Sequence, residues 1–469
     1  MAVDYDLVIV GGTPEGYGAA TQAAQHGARV ALVLQGLSGP RSPLLHRGLL
    51  HATAGPPFAP PAPESDATPW QWAKQRAALI ADTLTRDSLQ QLMVQGVDVL
   101  AEQGKIVGDR PVTIATPSRS LTTRAVLIAT GNRDQTPILK GLDAVPYDTP
   151  ETFWQREHLP SSVVIIGSSP EGLVLAQWLR YWHIPVTVIP SGVNLLNQED
   201  PDVSRWMVAH LRALGVDLRL GASMTEVSPQ ATTPVAPAIA VKLTDAVITT
   251  AALVLAVRPL PNTDNLGLET CLPHDRPMTV NAFLQTEHPR IYVCGAAIGG
   301  YELPAIARQE AAWAVHNALF WNRRRVNYGI VPYELPTQPP LARVGLTEPQ
   351  AYERFSKEDI LVARQALYDN PQAQWREATI GFCKLIAHRD GRLLGCHGVG
   401  PEAPEWVQAI ALAMGQQTPW WRIADGPTLP YSLTEILRQT AQQWERDRWR
   451  PGQWRRDWAE NWCNWRRSR

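Results

Sequence analysis

One pattern occurs twice in this chain and restricts what it can fold into. The first copy runs Asp6-Leu7-Val8-Ile9-Val10, then Gly11-Gly12-Thr13-Pro14-Glu15-Gly16, then an alanine-rich stretch to His26 and a further apolar run at Val30 to Leu34. The second runs Val164-Ile165-Ile166, then Gly167-Ser168-Ser169-Pro170-Glu171-Gly172, a helical stretch, and Val186 to Ile189. A short apolar run that ends in glycine reads as a buried parallel strand, and a proline suits the first turn of the helix that follows. Each copy is therefore a βαβ unit, and the constant offset between them marks an internal repeat.

At 469 residues, and about 100 to 200 per domain, the chain should hold about three domains. The 43 basic and 44 acidic side chains balance, which argues against a disordered chain or one that coats nucleic acid. Cysteine occurs at 271, 294, 383, 396 and 463 only, with no paired spacing, so neither a disulfide framework nor a metal site is expected. No apolar stretch reaches the length of a membrane span, and no basic-then-apolar leader precedes the first strand. The chain reads as neither membrane-spanning nor exported by a standard signal. Gly55 to Pro69, with Pro56, Pro57, Pro60, Pro61 and Pro63, reads as a loop, because proline denies hydrogen bonds to both helix and sheet.

In a G-x-G-x-x-G loop the first glycine turns the chain, the second lets backbone approach a diphosphate, and the third packs helix on strand. Here the first and third survive as Gly11 and Gly16, and as Gly167 and Gly172, while the second is Thr13 or Ser169. A hydroxyl there narrows the room for phosphate, although it could itself donate to one. The residue that ends the second strand, where an acid would bind ribose, is Gln35 in the first copy and Pro190 in the second. The first loop reads better for a nucleotide than the second; the plainer alternative is a pair of strand-turn-helix junctions.

With these loops and four further landmarks on the page, the chain resembles the pyridine nucleotide-disulfide oxidoreductases, the family of lipoamide dehydrogenase, glutathione reductase and mercuric reductase, from residue 4 to about 442. The landmarks are Ala125 to Gly131 with its Ala129-Thr130-Gly131 end, Arg258-Pro259-Leu260-Pro261-Asn262-Thr263, Tyr292 to Ala297 leading into Ala305 to Leu319, and Ala342 to Glu348. The resemblance implies an α/β fold with two Rossmann-like dinucleotide-binding domains and a C-terminal α+β dimerisation domain, assembled as a homodimer. It implies an FAD domain over 1–155 and 265–330, an NAD(P)-like domain over 156–264, a dimerisation domain over 331–442 and a tail over 443–469. FAD would meet Gly11, Gly12, Thr13, Pro14, Glu15, Gly16, Gln35, Ala129, Thr130, Gly131, Gly295 and Ala296. The second site, at Gly167, Ser169 and Gly172, matches NAD(P)H poorly.

The departures from the family concern chemistry. Its dithiol falls on Ser38 and Pro43, its flavin-side lysine on Arg47, the glutamate partner of that lysine on Val174, its ribityl-binding aspartate on Ala296, and the histidine that serves as general acid/base on Pro430. No histidine follows His397. Thiol exchange needs both thiols and a base, so their joint absence points away from disulfide reduction. The expectation is an FAD-dependent oxidoreductase passing electrons from an unidentified donor to a small or membrane-confined acceptor such as a quinone, with an unpaired Arg47 guanidinium favouring anionic flavin. Alternatives are a non-catalytic flavin- or nucleotide-binding scaffold and an NAD(P)H diaphorase. Cys294 and Cys396, inside apolar strands, read as buried structural thiols. His46 and His51 fall near the same face without an assigned role.

Six of the 18 tryptophans lie in the last 26 residues. Trp454, Trp458, Trp462 and Trp465 form one helical stripe, with Arg455, Arg456, Arg466 and Arg467 beside or opposite it. Indoles and arginines suit the interface of an anionic membrane, so one reading is a helix lying in the membrane surface. The others are a protein partner or packing within the chain; nucleic acid fits less well, since four acids dilute the charge of the segment. The expected location is cytoplasmic and peripheral on a membrane, the thylakoid if the source is a photosynthetic bacterium.

Overall fold

The structure, a computed structural model, describes residues 3–37, 41–53, 68–86, 88–230, 238–273, 278–300, 303–449 and 452–468. Ser38 and the prolines at 56, 57, 60, 61 and 63 lie outside the described residues. Pro69, expected to end that loop, instead opens the helix Pro69–Thr85, whose N-terminus Thr68 caps. The chain divides into two compact units, 1–193 with 211–326, and 194–210 with 327–469.

The first unit is built on two main sheets, the larger one mixed and the smaller one parallel. In the larger sheet the strands lie in the order Asp98–Leu100, Val30–Val33, Tyr5–Val10, Ser120–Ile128, Val112–Ala115 and Lys105–Asp109, with Ile291–Val293 also paired to Ser120–Ile128. Its central strands are apolar on both faces because both faces are covered. Leu7 and Ile9 pack with Ala19, Ala20 and Ala23 of the helix Pro14–Gln25 and with Ala311, Ala314 and Val315 of Pro304–Leu319. Val8 and Val10 face the other way, against Ile106, Ile114 and Leu121. The smaller sheet repeats the scheme with Asp217–Leu218, Val186–Ile189, Val163–Gly167 and Ala252–Ala256, all parallel.

The second unit is a five-stranded antiparallel sheet, ordered Tyr333–Leu335, Leu341–Gly345, Leu393–Val399, Phe382–His388 and Ile360–Ala366. Trp406, Trp420 and Trp444 fill its core. Gly398 makes room for the first of these: a Cβ there would stand 2.1 Å from the Trp406 ring. Phe382–His388 begins directly after Gly381, which adopts φ +138°.

Two expected boundaries shift. Residues 194–210 group with the second unit rather than with the nucleotide domain, because the fully buried Asp200 binds Lys384 Nζ at 2.7 Å. Asp202 and Glu348 complete the ring around that ammonium at 2.8 and 2.6 Å. Burial alone would depress Lys384, but these three carboxylates hold its pKa above the ordinary value. The tail does not begin at 443 either. The helix Glu435–Arg448 runs through that point and buries Trp444 with its ring 5.2 Å from Trp420. The separate tail helix is Trp454–Arg467, after Gly452 at φ +86°. Among the described residues no helix is long and apolar enough to cross a membrane.

Replacing Lys384 with methionine strands Asp200 as an uncompensated buried charge, and should lower the unfolding free energy by about 3–5 kcal/mol in urea titrations. Acid should act through His397, which burial pushes down to about 4 against an ordinary 6.5. The unfolded chain takes up that proton first, so stability should fall as pH drops from about 6.5 toward 4. His397→Gln should flatten that slope when unfolding midpoints are compared at pH 7.5, 6 and 5.

Candidate functional site

The first loop sits where three parallel strands end together. Val10 pairs Ile128, and Ile128 pairs Val293, so residues 11–16, 129–131 and 294–296 emerge side by side at the carboxyl edge of the sheet. That edge is where open α/β sheets bind their ligands. Gly11 adopts φ +127°, and a Cβ on it would lie 2.1 Å from the Ala129 carbonyl oxygen. A Cβ on Gly16 would lie 2.0 Å from the Gly11 oxygen. Both glycines are thus required by backbone contact.

Thr13 caps the helix. Its Oγ1 accepts from the Gly16 N–H at 3.2 Å and donates to the Ala129 oxygen at 2.9 Å. The hydroxyl that might have met a phosphate is spent inside the loop, and the side chain lies down toward Gly131 rather than standing over the helix start. Thr130 is buried and donates to Asn262 O at 2.6 Å, while Asn262 N donates to Gly131 O at 3.0 Å. Gln35, at φ +56°, points its amide at Gly104 O, 2.6 Å away, and keeps its own carbonyl oxygen as the group that could accept from a ribose. Gly295, at φ +68°, donates from its N–H to the buried Glu310 carboxylate at 2.7 Å. These residues fit FAD: a helix start, which favours a diphosphate, lies beside two segments that turn through glycines at positive φ, Gly131 and Gly295.

The second loop repeats the scaffold. Gly167 has φ +101° with a Cβ position 2.2 Å from Ala256 O, and Gly172 lies against Ala256. Ser169 Oγ accepts from the Gly172 N–H at 3.2 Å. Here an acid of the chain itself, Glu171, stands at the helix start; burial raises its pKa more than hydrogen bonds from its own backbone N–H and the Ser169 hydroxyl lower it. The buried Pro190 offers no ribose partner.

Arg47 lies half-buried on the helix Arg41–Thr53 and is not unpaired as expected, because its Nε donates to His51 Nε2 at 3.3 Å. The expected partnerless His51 is corrected by the same bond. His46, one turn from it, is pushed down to about 4 by burial and stays neutral. Its ring lies 6.2 Å from Trp154, which joins Trp178 at 4.8 Å. Pro43 sits exposed on this helix. Ala296 follows Gly295 without any polar group to offer. Cys294 lies just beyond the strand Ile291–Val293 rather than inside it and is fully buried, its thiol pushed well up by burial and by Glu15 and Glu310.

Sequence reasoning gave no role to Asn262, Glu310 or Glu171. The signal for the last was present, since a glutamate follows the proline of both loops.

The model of the pyridine nucleotide-disulphide oxidoreductase family matches residues 5–311, and that of its dimerisation domain matches residues 331–430. Among curated proteins, the dihydrolipoyl dehydrogenase of Bacillus subtilis (strain 168) is 28% identical over 472 residues, covering 93% of this chain and 98% of its own. The mercuric reductase of Staphylococcus aureus is 27% identical over 426 residues, covering 88% and 77%. Of solved structures, LpdA from Mycobacterium tuberculosis matches with TM-score 0.82 at 22% identity over 94% of this chain and 99% of its own. The HOCl-induced flavoprotein disulfide reductase RclA from Escherichia coli matches with TM-score 0.80 at 23% identity over 93% and 99%. At such identities the structural likeness speaks to the fold alone. Homologues in the matched family bind FAD and NAD(P)H.

Gly16→Ala should lose bound flavin and unfold at lower temperature, since its methyl has no room against Gly11. Thr13→Ala removes only the cap and should cost about 1 kcal/mol in unfolding while flavin content, read from the spectrum of the released cofactor, is kept.

Proposed function

Because the chain belongs to the pyridine nucleotide-disulphide oxidoreductase family, we propose that it is an FAD-dependent oxidoreductase that does no dithiol chemistry. FAD supplies the two-electron redox chemistry when bound. The observation that carries the reading is the absence of any cysteine before Cys271. Disulfide exchange needs an accessible thiolate next to a second thiol. The five cysteines are placed otherwise: Cys271 is half-buried, Cys294, Cys383 and Cys396 are buried, and Cys463 is exposed on the tail helix. The last histidine, His397, is buried and held neutral, with Pro430 standing where the family places its acid/base.

The roles left to this chain's residues are binding and positioning. Gly11 to Gly16 would hold the diphosphate of FAD at their helix start and Gln35 would accept from its ribose, while Thr130 and Asn262 brace the adjoining loop. Arg47, bonded to His51, would offer positive charge to the flavin. The internally satisfied second loop favours a donor other than NAD(P)H. The exposed stripe of Trp454, Trp458, Trp462 and Trp465, at 72, 61, 47 and 45% exposure, supports attachment to a membrane surface and a membrane-confined acceptor. A second reading, a non-catalytic scaffold, is favoured by the self-capped start of both loop helices.

The purified protein should show a flavin spectrum that dithionite bleaches and NADH or NADPH does not. It should reduce neither lipoamide nor glutathione disulfide, and turnover of either would overturn the proposal. Rapid bleaching by NAD(P)H would make it a diaphorase, and a protein without flavin would leave the scaffold.

A further inference from the structure

The C-terminal end of Pro304–Leu319, the end of that helix away from Gly295, carries a second surface of tryptophan and arginine. Phe320 and Trp321 are 48 and 69% exposed, and Arg323, Arg324 and Arg325 follow directly, all exposed. None of the three arginines pairs with a carboxylate among the described residues. Arg323 lies over the Trp321 ring at 5.4 Å, and Arg325 over Phe283 at 5.0 Å.

This loop is built rather than loose. The buried Asn317 side chain accepts from the N–H groups of Arg323 and Arg324 at 3.2 and 3.0 Å, and donates to Arg324 O at 2.8 Å and Phe283 O at 3.0 Å. The Tyr292 hydroxyl donates to Asn322 Oδ1 at 2.9 Å. A folded scaffold thus holds an exposed indole and three guanidinium groups without a carboxylate partner among the described residues, two of them resting over aromatic rings. The loop repeats the chemistry of the tail helix more than a hundred residues away in sequence.

We propose that the loop at Phe320 to Arg325 is a second contact with an anionic lipid bilayer, with Trp321 entering the headgroup layer and the arginines meeting lipid phosphates. It deepens the peripheral-membrane reading and rests on that reading's anionic bilayer, not on the tail helix itself. Lipid is favoured over an acidic protein because two exposed aromatic side chains, Phe320 and Trp321, accompany the arginines, and an apolar layer beneath an anionic surface satisfies both chemistries.

The test is co-sedimentation of full-length protein with vesicles of phosphatidylcholine containing phosphatidylglycerol, and with phosphatidylcholine alone. The loop variant R323S/R324S/R325S should lose about fivefold in partitioning per arginine, roughly 100-fold in all. Only backbone groups of Arg323 and Arg324 bond Asn317, so circular dichroism and flavin content should stay as in the parent. A tail variant, W454S/W458S/W462S/W465S, separates the two readings. Loss of binding in both variants supports both contacts. A loop variant that binds like the parent overturns this inference, whatever the tail does. A tail variant that binds like the parent, with the loop variant impaired, overturns the tail reading and keeps the loop. Equal binding of the parent to heparin and to anionic vesicles overturns the lipid assignment in favour of a general polyanion site.

Discussion

Everything in the first unit depends on one backbone contact, made twice. The first glycine of each loop turns so tightly that the carbonyl oxygen at the next strand's end stands where a Cβ would be, 2.1 Å away at Gly11 and 2.2 Å at Gly167. That contact fixes how far the helix stands from the sheet, and the third glycine then seats the helix on the turn. Because the strands Tyr5–Val10, Ser120–Ile128 and Ile291–Val293 end in register, the same contact decides where the candidate flavin-binding backbone emerges. A residue of any other kind at Gly11 would move all three segments.

Given this scaffold, the two loops differ in how they satisfy their helix starts. An N-terminal turn leaves N–H groups that must find an acceptor, and a phosphate is only one of the candidates. At Thr13 the hydroxyl takes one of them and lies back into the loop, which leaves the approach clear. At Ser169 the hydroxyl is joined by the Glu171 carboxyl group, whose pKa burial raises. The same proline and glutamate follow both loops, so the difference rests on how the glutamate side chain folds.

The repeat, the order of strands and helices, and the placing of Gly11, Gly16, Thr130 and Gly295 were legible in the sequence, because apolar run length and glycine spacing are local signals. What was not legible depends on partners far along the chain. Asp200 reads as one of several acids near a helix start; its burial against Lys384 joins residues 184 positions apart and carries 194–210 into the second unit. Arg47 reads as an isolated cation until the helix brings His51 within reach. Gln35 reads as a free ribose ligand, and half of its amide is already held by Gly104, 69 positions away.

Tryptophan shows where composition stops being informative. Trp406, Trp420 and Trp444 are core residues, and Trp321, Trp454 and Trp458 are among the most exposed large apolar side chains. Counting indoles near the C-terminus joined Trp444 to the tail, whereas the phase of its helix turns it inward onto Trp420. The discriminating signal is what accompanies the indole. Trp420 and Trp444 lie among Ile436, Leu437 and Ala441, which remove them from water. Trp321 and Trp454 are exposed, each with an arginine guanidinium over its ring at 5.4 Å, Arg323 and Arg455. An indole in that setting keeps a large apolar face in water and a cation beside it, and both gain only when an apolar layer bearing negative charge meets them.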